Sequence, residues 1–203
     1  MEPEEQQRLG EHAARSLVAG EVPFGWQSIS VDEDKDRWLE LLAGRVMGSP
    51  REWEAGGHWS RYAINSEVLW FPAHVAGLIF HGSQLAFVSF HDPTQKDSNW
   101  DYQIEVDNYG RTKQSLVHYL GNENERNESN PQNLSATWNY DRLILSLSCD
   151  VKTGGCGLSI RRRSPAFPAF AKASFKTQRF LFNIAAIRGQ QSGAFISSSG
   201  ADS

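Results

Sequence analysis

The stretch GLIFHGSQLAFVSF, Gly77–Phe90, contains two apolar runs separated by a short polar break. Both runs are rich in branched and aromatic side chains, which favour strands, and the glycine and serine between them are typical of a turn. Similar runs occur on both sides of this stretch: RYAI, EVLWF, YQIEV, LILSLSC, GLSIRR and FLFNIAAI. Short strands at this spacing predict a mainly β body, built as a barrel or a sandwich.

The N-terminal part of the chain has a different pattern. Apolar residues recur at helical spacing in residues 3–18, and Gly20 and Pro23 follow them. A second helix is predicted over Asp34–Met47, with Asp32 or Asp34 as its cap. We therefore expect a helical N-terminus attached to the β body.

The composition limits the function classes. The 203 residues are 39% hydrophobic, and the net charge of −4 gives no electrostatic reason to expect nucleic acid as the main partner. Two cysteines do not make a disulfide framework, so a reducing compartment is expected. The polar, acidic N-terminus is unlike a signal peptide, and no apolar stretch is long enough to cross a bilayer. We expect a cytoplasmic protein that does not associate with a membrane.

Metal binding is not expected from the sequence. Histidines and cysteines are present, but no pair of them has the spacing of a zinc site. No cofactor is expected either. The residues considered as ligands are His74, His81, His91, Cys149 and Cys156.

The octapeptide TGGCGLSI, Thr153–Ile160, is the strongest candidate for chemistry. Glycines around Cys156 allow backbone conformations that other residues disfavour. The amide N–H groups of Gly154, Gly155 and Cys156 could then converge as an oxyanion hole for acyl transfer. Because the thiolate is the nucleophile, such a cysteine also needs a base. The alternative is a small buried residue at a turn, and Cys149 is expected in the core or at a strand end.

His74 is the candidate base. It follows an apolar strand in EVLWFPAHVAG, where a side chain can be held rigidly at the rim of a barrel. A carboxylate is needed to orient the imidazole. Asp101, in NWDYQIEV, is the candidate, and Asp92, in SFHDP, is its rival. Taken singly, each of these residues also fits a structural role, so the hypothesis depends on their combination.

These three motifs together resemble a known family. FPAHV, WDYQIEV and GGCGLSI follow the His, Asp/Glu, Cys order of the chymotrypsin-like cysteine proteases of positive-strand RNA viruses, the picornain-like main proteases. The resemblance implies two β-barrels with a catalytic triad of His74, Asp101 and Cys156 between them. It also implies a peptide or polyprotein substrate that is cleaved through a thioester.

The resemblance implies a division of the chain into four parts. Residues 1–55 would be an N-terminal helical segment, and residues 56–120 the first barrel. Residues 121–139, which are polar and poor in core-forming residues, would be a linking loop. Residues 140–203 would be the second barrel.

The segment FLFNIAAIRGQQSGAFI looks like the closing hairpin that lines the substrate pocket in this family. Many members carry a histidine there to recognise glutamine, and this chain has none. Ala185, Ala186 and Arg188 stand nearby instead. If the resemblance holds, they form the pocket, and an acidic or small residue before the cleaved bond becomes possible.

Two other patterns offer alternatives. GGHWSRYAI, with His58, Trp59 and Tyr62, resembles the histidine motif of lecithin retinol acyltransferase-like enzymes, but neither cysteine is preceded by the asparagine of that family. We therefore interpret His58-Trp59 as an aromatic pair on an exposed strand. The run Arg161–Arg163 precedes a segment of mixed aromatic and basic residues, which would allow a weak contact with RNA. More often such a run is a solvated strand edge.

A non-catalytic protein is the alternative from a different functional class. In that case the β-barrel or sandwich would act in binding or regulation. Its exposed tryptophans and other aromatic residues would line a surface for a ligand or partner.

Overall fold

The computed structural model describes residues 2–54, 58–65, 75–91, 102–130, 132–150 and 155–163. All of these residues belong to one compact unit, Met1–Ser164. The described part is mainly β, which confirms the predicted class. Among the described residues, no helix combines the length and the apolar character needed to cross a membrane.

The described residues of this unit form three helices and ten strands, with a short 3₁₀ turn at Ala43–Arg45 after the second helix. The helices are α1 (Pro3–Ala19), α2 (Lys35–Leu41) and α3 (Tyr102–Leu120). The strands are β1 (Glu21–Phe24), β2 (Gln27–Ser30), β3 (Val46–Trp53), β4 (Trp59–Asn65), β5 (Val75–His81), β6 (Gln84–His91), β7 (Glu125–Asn127), β8 (Asn133–Asn139), β9 (Leu143–Asp150) and β10 (Gly155–Arg162).

Eight strands form a single antiparallel sheet in the order β3-β4-β5-β6-β10-β9-β8-β7, while β1 and β2 form a separate hairpin. The pairing of β6 with β10 joins the strands expected in the first barrel to those expected in the second. The two-barrel arrangement is therefore not confirmed, since the described strands of both halves share one continuous sheet. The stretch Gly77–Phe90 forms most of β5 and β6, which lie at the centre of that sheet.

One face of the sheet carries the apolar core. Side chains alternate between the two faces of a strand, and the core residues of β5, β8, β9 and β10 follow this period of two. In β6 a register shift opposite Ile79 and Phe80 separates Leu85 from Val88 by three positions, and both still belong to the core. Helix α3 packs on β8, β9 and β10, and α1 packs on the hairpin and on α3. The core members on the sheet are Ile64, Ala76, Leu78, Phe80, Leu85, Val88, Phe90, Leu134, Ala136, Trp138, Leu143, Leu145, Leu147, Cys149, Cys156, Leu158 and Ile160.

Aromatic side chains attach the N-terminal elements to this face. The Trp38 ring of α2 is fully buried. Its centroid lies 6.0 Å from that of Phe24 on β1 and 6.4 Å from that of Phe80 on β5, both edge to face. Phe24 also lies 6.0 Å from Phe90 on β6. Aromatic pairs at these distances add to the stabilisation from burial.

Charged groups attach the same elements to the other half of the sheet. The Asp32 carboxylate, just after β2, pairs with Arg142 before β9 and with Arg162 of β10, the latter at 2.9 Å. Gly20 ends α1 with φ 80°, and a Cβ atom built there would lie 2.7 Å from Cδ of Arg142. Glycine at this position therefore serves two purposes, the left-handed cap and the close approach of Arg142.

The expected linking loop at residues 121–139 is largely wrong, because β7 and β8 lie inside it. The reason is a period-two pattern within a polar composition. Leu134, Ala136 and Trp138 alternate with polar residues, and all three are buried. Three apolar positions are enough for a strand when its neighbour β9 presents a fully apolar face.

The run YQIEV is also not a strand, because it begins α3. Five residues are too few to distinguish a strand from the first turn of a helix. The longer pattern is helical: Val106, Tyr109 and Leu116 face the core at intervals of three and seven residues.

The N-terminal segment is less helical than expected. Helix α1 is confirmed, and Asp34 caps α2 by accepting a hydrogen bond from the Arg37 amide at 2.9 Å. However, α2 ends at Leu41, the 3₁₀ turn Ala43–Arg45 follows, and the remaining residues Val46–Trp53 form β3. The hairpin β1–β2 was not predicted, although Gly25, at φ 65°, occupies the first turn position where a two-residue hairpin favours glycine.

Two glycines with positive φ allow a matched test of the Gly20 contact. Gly25→Ala should cost about 1–2 kcal/mol for the left-handed backbone alone, because its Cβ would meet nothing within 4 Å. Gly20→Ala should cost about 1–3 kcal/mol more, because its Cβ would overlap Arg142. Urea unfolding measures both variants. Equal costs for the two substitutions would show that the Arg142 contact does not constrain Gly20.

Candidate functional site

Most residues of the predicted protease site lie outside the described residues. These are the triad members His74 and Asp101, the rival Asp92, the oxyanion-hole residue Gly154, and the pocket residues Ala185, Ala186 and Arg188. The triad and the pocket therefore stay predictions. Gly155 and Cys156 are described, and both belong to β10.

Cys156 lies within the apolar core and not at an elbow that presents a nucleophile. Its side chain is 2% exposed and faces the side of the sheet that α3 covers. Cys149 of β9 lies directly opposite, and Tyr109 of α3 is close enough for the Cys156 sulfur to contribute to the raised pKa of that phenol, after burial and the Glu128 carboxylate. A substrate carbonyl would have to enter the core to reach this thiol.

The backbone around Cys156 has the regular pattern of a strand. The Arg163 amide donates to the carbonyl of Arg142 at 2.8 Å. Hydrogen-bonded and non-hydrogen-bonded pairs alternate along antiparallel strands, and the register of β9 with β10 has no shift. Gly155 therefore forms a hydrogen-bonded pair with Asp150, whereas Cys156 and Cys149 form a non-hydrogen-bonded pair. The amides of Gly155 and Cys156 point to opposite sides of β10 and do not converge on one oxyanion.

Two other sequence motifs have structural contacts. His58 is exposed, with Nδ1 2.8 Å from a carboxylate oxygen of Glu54. Trp59 is buried, and its ring centroid lies 4.5 Å from that of His81. The interpretation of His58-Trp59 as an exposed aromatic pair is therefore wrong for Trp59.

The basic run Arg161–Arg163 is partly engaged within the protein. Arg162 pairs with Asp32, and the Arg163 guanidinium donates to the carbonyl of Tyr140 at 3.2 Å. Nε of Arg161 is buried and has no hydrogen-bond partner among the described residues. These contacts leave a smaller cationic surface than the sequence suggests. A contact with RNA through this run stays a prediction.

A surface that the sequence did not indicate lies at the tip of the β1–β2 hairpin. Among the side chains that the structure describes, Trp26 is the exposed tryptophan, with 55% of its surface accessible. It occupies the second turn position, after Gly25. The hairpin below it is anchored by Phe24 and Ile29, which are buried in the core. An exposed tryptophan on a firmly packed hairpin is available for a partner without large loss of conformational freedom.

His12 of α1 lies against Trp26, with ring centroids 5.8 Å apart. Its Nε2 is 3.1 Å from Oγ of Ser28, which is 2.6 Å from Oγ of Ser16. Ser16 Oγ in turn donates to the carbonyl of His12 at 3.0 Å. If each hydroxyl donates once, Ser28 donates to Ser16 and accepts from His12. The network then fixes the imidazole beside Trp26, and it does not activate Ser28 as a nucleophile.

Two arginines extend this surface along α1. Arg8 and Arg15 are exposed and lie four residues before and three residues after His12, on the same side of the helix. Neither forms an ion pair with another described residue. We call Trp26, His12, Arg8 and Arg15 the Trp26 patch, since it combines one exposed aromatic ring with available cations.

A second polar cluster joins α3 to the segment around β7. Lys113 Nζ lies 3.0 Å from a carboxylate oxygen of Glu123 and 2.5 Å from one of Glu128. The Tyr109 hydroxyl donates to Glu128 at 3.4 Å. Its own backbone N–H and the Lys113 ammonium hold the pKa of Glu123 below its usual range. The Arg126 guanidinium lies 3.9 Å from Glu123, so two cations compensate the two carboxylates, which is typical of a structural role.

Comparison with known proteins adds little about function. No protein-family model and no curated protein matches the chain. A crystal structure of YjgB, a DUF4309 family protein from Bacillus subtilis, aligns with 79% of this chain and 99% of its own at 14% identity, with a TM-score of 0.43. Within the described ranges, no three His, Cys, Asp or Glu side chains are grouped so that they could hold a metal ion.

The Lys113 cluster predicts an acid-sensitive contribution to stability. The pKa of Glu123 is lowered in the folded state, so its contribution is full above the usual carboxyl pKa and is lost as the pH falls through the lower folded value. Glu123→Gln should lower the free energy of unfolding at pH 7 by roughly 1 kcal/mol, and by much less near pH 2–3. Urea unfolding at both pH values measures this. The control is Glu52→Gln at an exposed site, and a pH-independent effect of Glu123→Gln would contradict the assignment.

Proposed function

We propose that this protein is a non-catalytic binding or regulatory protein, and that the Trp26 patch contacts its partner. The observation that carries the proposal is the exposure of Trp26 on an anchored hairpin, next to the fixed ring of His12. Tryptophan and arginine are enriched among the residues that dominate binding energy at protein interfaces. The Trp26 patch contains one tryptophan and two arginines.

The partner that best fits this surface is a protein segment with acidic residues around an apolar side chain. The apolar side chain would pack on Trp26, and the carboxylates would pair with Arg8 and Arg15. Opposite charges around an aromatic centre speed association and select the partner. Nucleic acid also offers anions and stacking bases, and a labelled oligonucleotide distinguishes it from an acidic peptide.

Cysteine peptidase activity is the competing proposal. It requires that Cys156 be reached by a substrate and by the imidazole of His74. The burial of Cys156 within a regular strand argues for the binding function. The two proposals are separated by the reactivity of the thiol, which is independent of any partner.

Binding to a defined acidic peptide tests the patch. The probe is a fluorescein-labelled decapeptide of glutamates interrupted by two phenylalanines, measured by anisotropy at low salt. Trp26→Ala should weaken binding about tenfold or more, because it removes the aromatic anchor. Replacing Arg8 and Arg15 by glutamate should weaken it further, and this second loss should shrink as salt is added.

The matched control is Met47→Ala, which removes an exposed apolar side chain from β3 and leaves the patch intact. It should bind the peptide as the native protein does. Equal affinities of the native protein, the Trp26→Ala variant and the Met47→Ala variant would reject the patch. Tighter binding to labelled oligothymidine than to the peptide would show that the partner is a nucleic acid.

Alkylation kinetics test the thiol. If the protein is not a peptidase, iodoacetamide should modify Cys156 in the folded protein at least about a hundredfold more slowly than a small thiol at pH 8, and unfolding in guanidinium should restore the rate. Peptide mapping by mass spectrometry assigns the modified residue. Fast reaction of Cys156 at pH 6, abolished by His74→Ala, would instead establish an activated nucleophile.

A further inference from the structure

The two cysteines of this chain lie directly opposite each other on neighbouring antiparallel strands. Cys149 is on β9 and Cys156 is on β10, and the structure contains them as thiols. Both side chains belong to the same apolar core, so they project from the same face of the sheet. A chain with only two cysteines has placed them at adjoining positions.

The hydrogen-bond pattern defines which kind of pair they form. The hydrogen-bonded pair Arg163 and Arg142 lies seven positions from Cys156 and Cys149 in an unshifted register. Pairs alternate in type along antiparallel strands, so an odd separation makes the cysteines a non-hydrogen-bonded pair. A second contact agrees with this assignment. The Tyr140 amide donates to the carbonyl of Leu143, so the peptide groups of Leu143 point towards β8. Cys149 lies six residues later, an even number, so its peptide groups also point towards β8 and away from β10.

This type of pair has the spacing that a disulfide requires. Opposite residues of a non-hydrogen-bonded pair have Cα atoms about 4.5 Å apart, and their side chains are closer than in the other type. Disulfides join Cα atoms separated by roughly 4.4–6.8 Å. The strands can therefore accept the bond within its usual range of Cα separations.

We propose that Cys149 and Cys156 are a reversible disulfide site, which forms a bond across β9 and β10 when the surroundings become oxidising. The site is independent of the Trp26 patch. The bond would fasten the β9–β10 hairpin close to its connecting segment 151–154. Thiol–disulfide exchange runs in both directions, so the bond is removed again when reduced glutathione predominates.

The oxidant is a low-molecular-weight disulfide such as oxidised glutathione. One cysteine thiolate attacks a sulfur of the reagent, the S–S bond of the reagent breaks, and one glutathione thiolate leaves. The second cysteine thiolate then attacks the protein sulfur of the mixed disulfide and displaces the second glutathione thiolate. The two cysteines lose two protons and two electrons in total. Oxidised glutathione takes up both and becomes two molecules of reduced glutathione. Because both thiols are buried, a local opening of the hairpin must precede the first attack.

The test is equilibration of the native protein in glutathione redox buffers, approached from reduced and from oxidised protein. The reaction is quenched with acid and N-ethylmaleimide, and intact mass counts the thiols. The native protein should convert directly between two thiols and none. The quantity measured is the ratio of reduced glutathione squared to oxidised glutathione at which half of the protein carries the disulfide. This ratio should be at least about tenfold higher for the folded protein than for protein unfolded in guanidinium, because the folded strands hold the sulfurs together.

Two variants serve as controls. Cys149→Ser should accumulate a single glutathione adduct on Cys156, which shows that the reagent reaches the site. In a Cys149→Ser, Cys156→Ser background, the pair Ser146→Cys and Ser159→Cys lies at a hydrogen-bonded position of the same two strands. It should show a native-to-denatured ratio at least about tenfold lower than the natural pair. If this control does not fold, the native-to-denatured ratio of the natural pair decides alone.

Three outcomes would overturn the proposal. The first is that folded protein keeps both thiols reduced after days in an oxidising buffer. The second is a stable mixed disulfide on the native protein in place of the internal bond. The third is a half-oxidation ratio no higher in the native state than in guanidinium. A control pair that oxidises as readily as the natural pair would overturn the role of the register.

Discussion

The contact of Trp38 with Phe24 and Phe80 is the interaction on which the arrangement of the N-terminal half depends. The main apolar core lies on one face of the sheet, and among the described elements α3 packs on the part of it formed by β8, β9 and β10. The remaining part, at β5 and β6, is met by the hairpin and α2, and their large aromatic rings fill the space above Phe80 and Phe90. The exposed position of Trp26 follows from this packing, because burying Phe24 and Ile29 directs the turn between them to the surface.

The sequence predicted the elements with strong local patterns and missed those whose pattern is weak or depends on distant partners. Helix α1 and the strands β5, β6, β9 and β10 follow from apolar runs and spacing alone. Strand β8 is obscured because Leu134, Ala136 and Trp138 are diluted by asparagine and serine. The mainly β class was predictable. The pairing of β6 with β10, which joins the two halves, was not predictable, because the local pattern of a strand does not specify which strand it pairs with.

The candidate site shows the same division. Glycines around a cysteine suggest an elbow, but Gly155 and Gly157 are also compatible with a strand, and here β9 and β6 pair with β10 on its two sides. The Trp26 patch could hardly be predicted from the sequence. Its members are 18 residues apart at most and lie on three different turns of α1 and on the hairpin, so only the fold brings them together. The one available signal was Gly25-Trp26 between two four-residue runs.

One geometric property of β10 accounts for both conclusions about Cys156. In an extended strand, successive amides point to opposite sides, so Gly155 and Cys156 cannot both donate to one oxyanion. The same alternation leaves Cys156 without a backbone hydrogen bond to Cys149, and pairs of that type bring their side chains closest together. Strand geometry that weakens the case for an acyl-transfer site therefore strengthens the case for a disulfide. The chemistry of this thiol is best understood through its cross-strand partner, and not through its glycine neighbours.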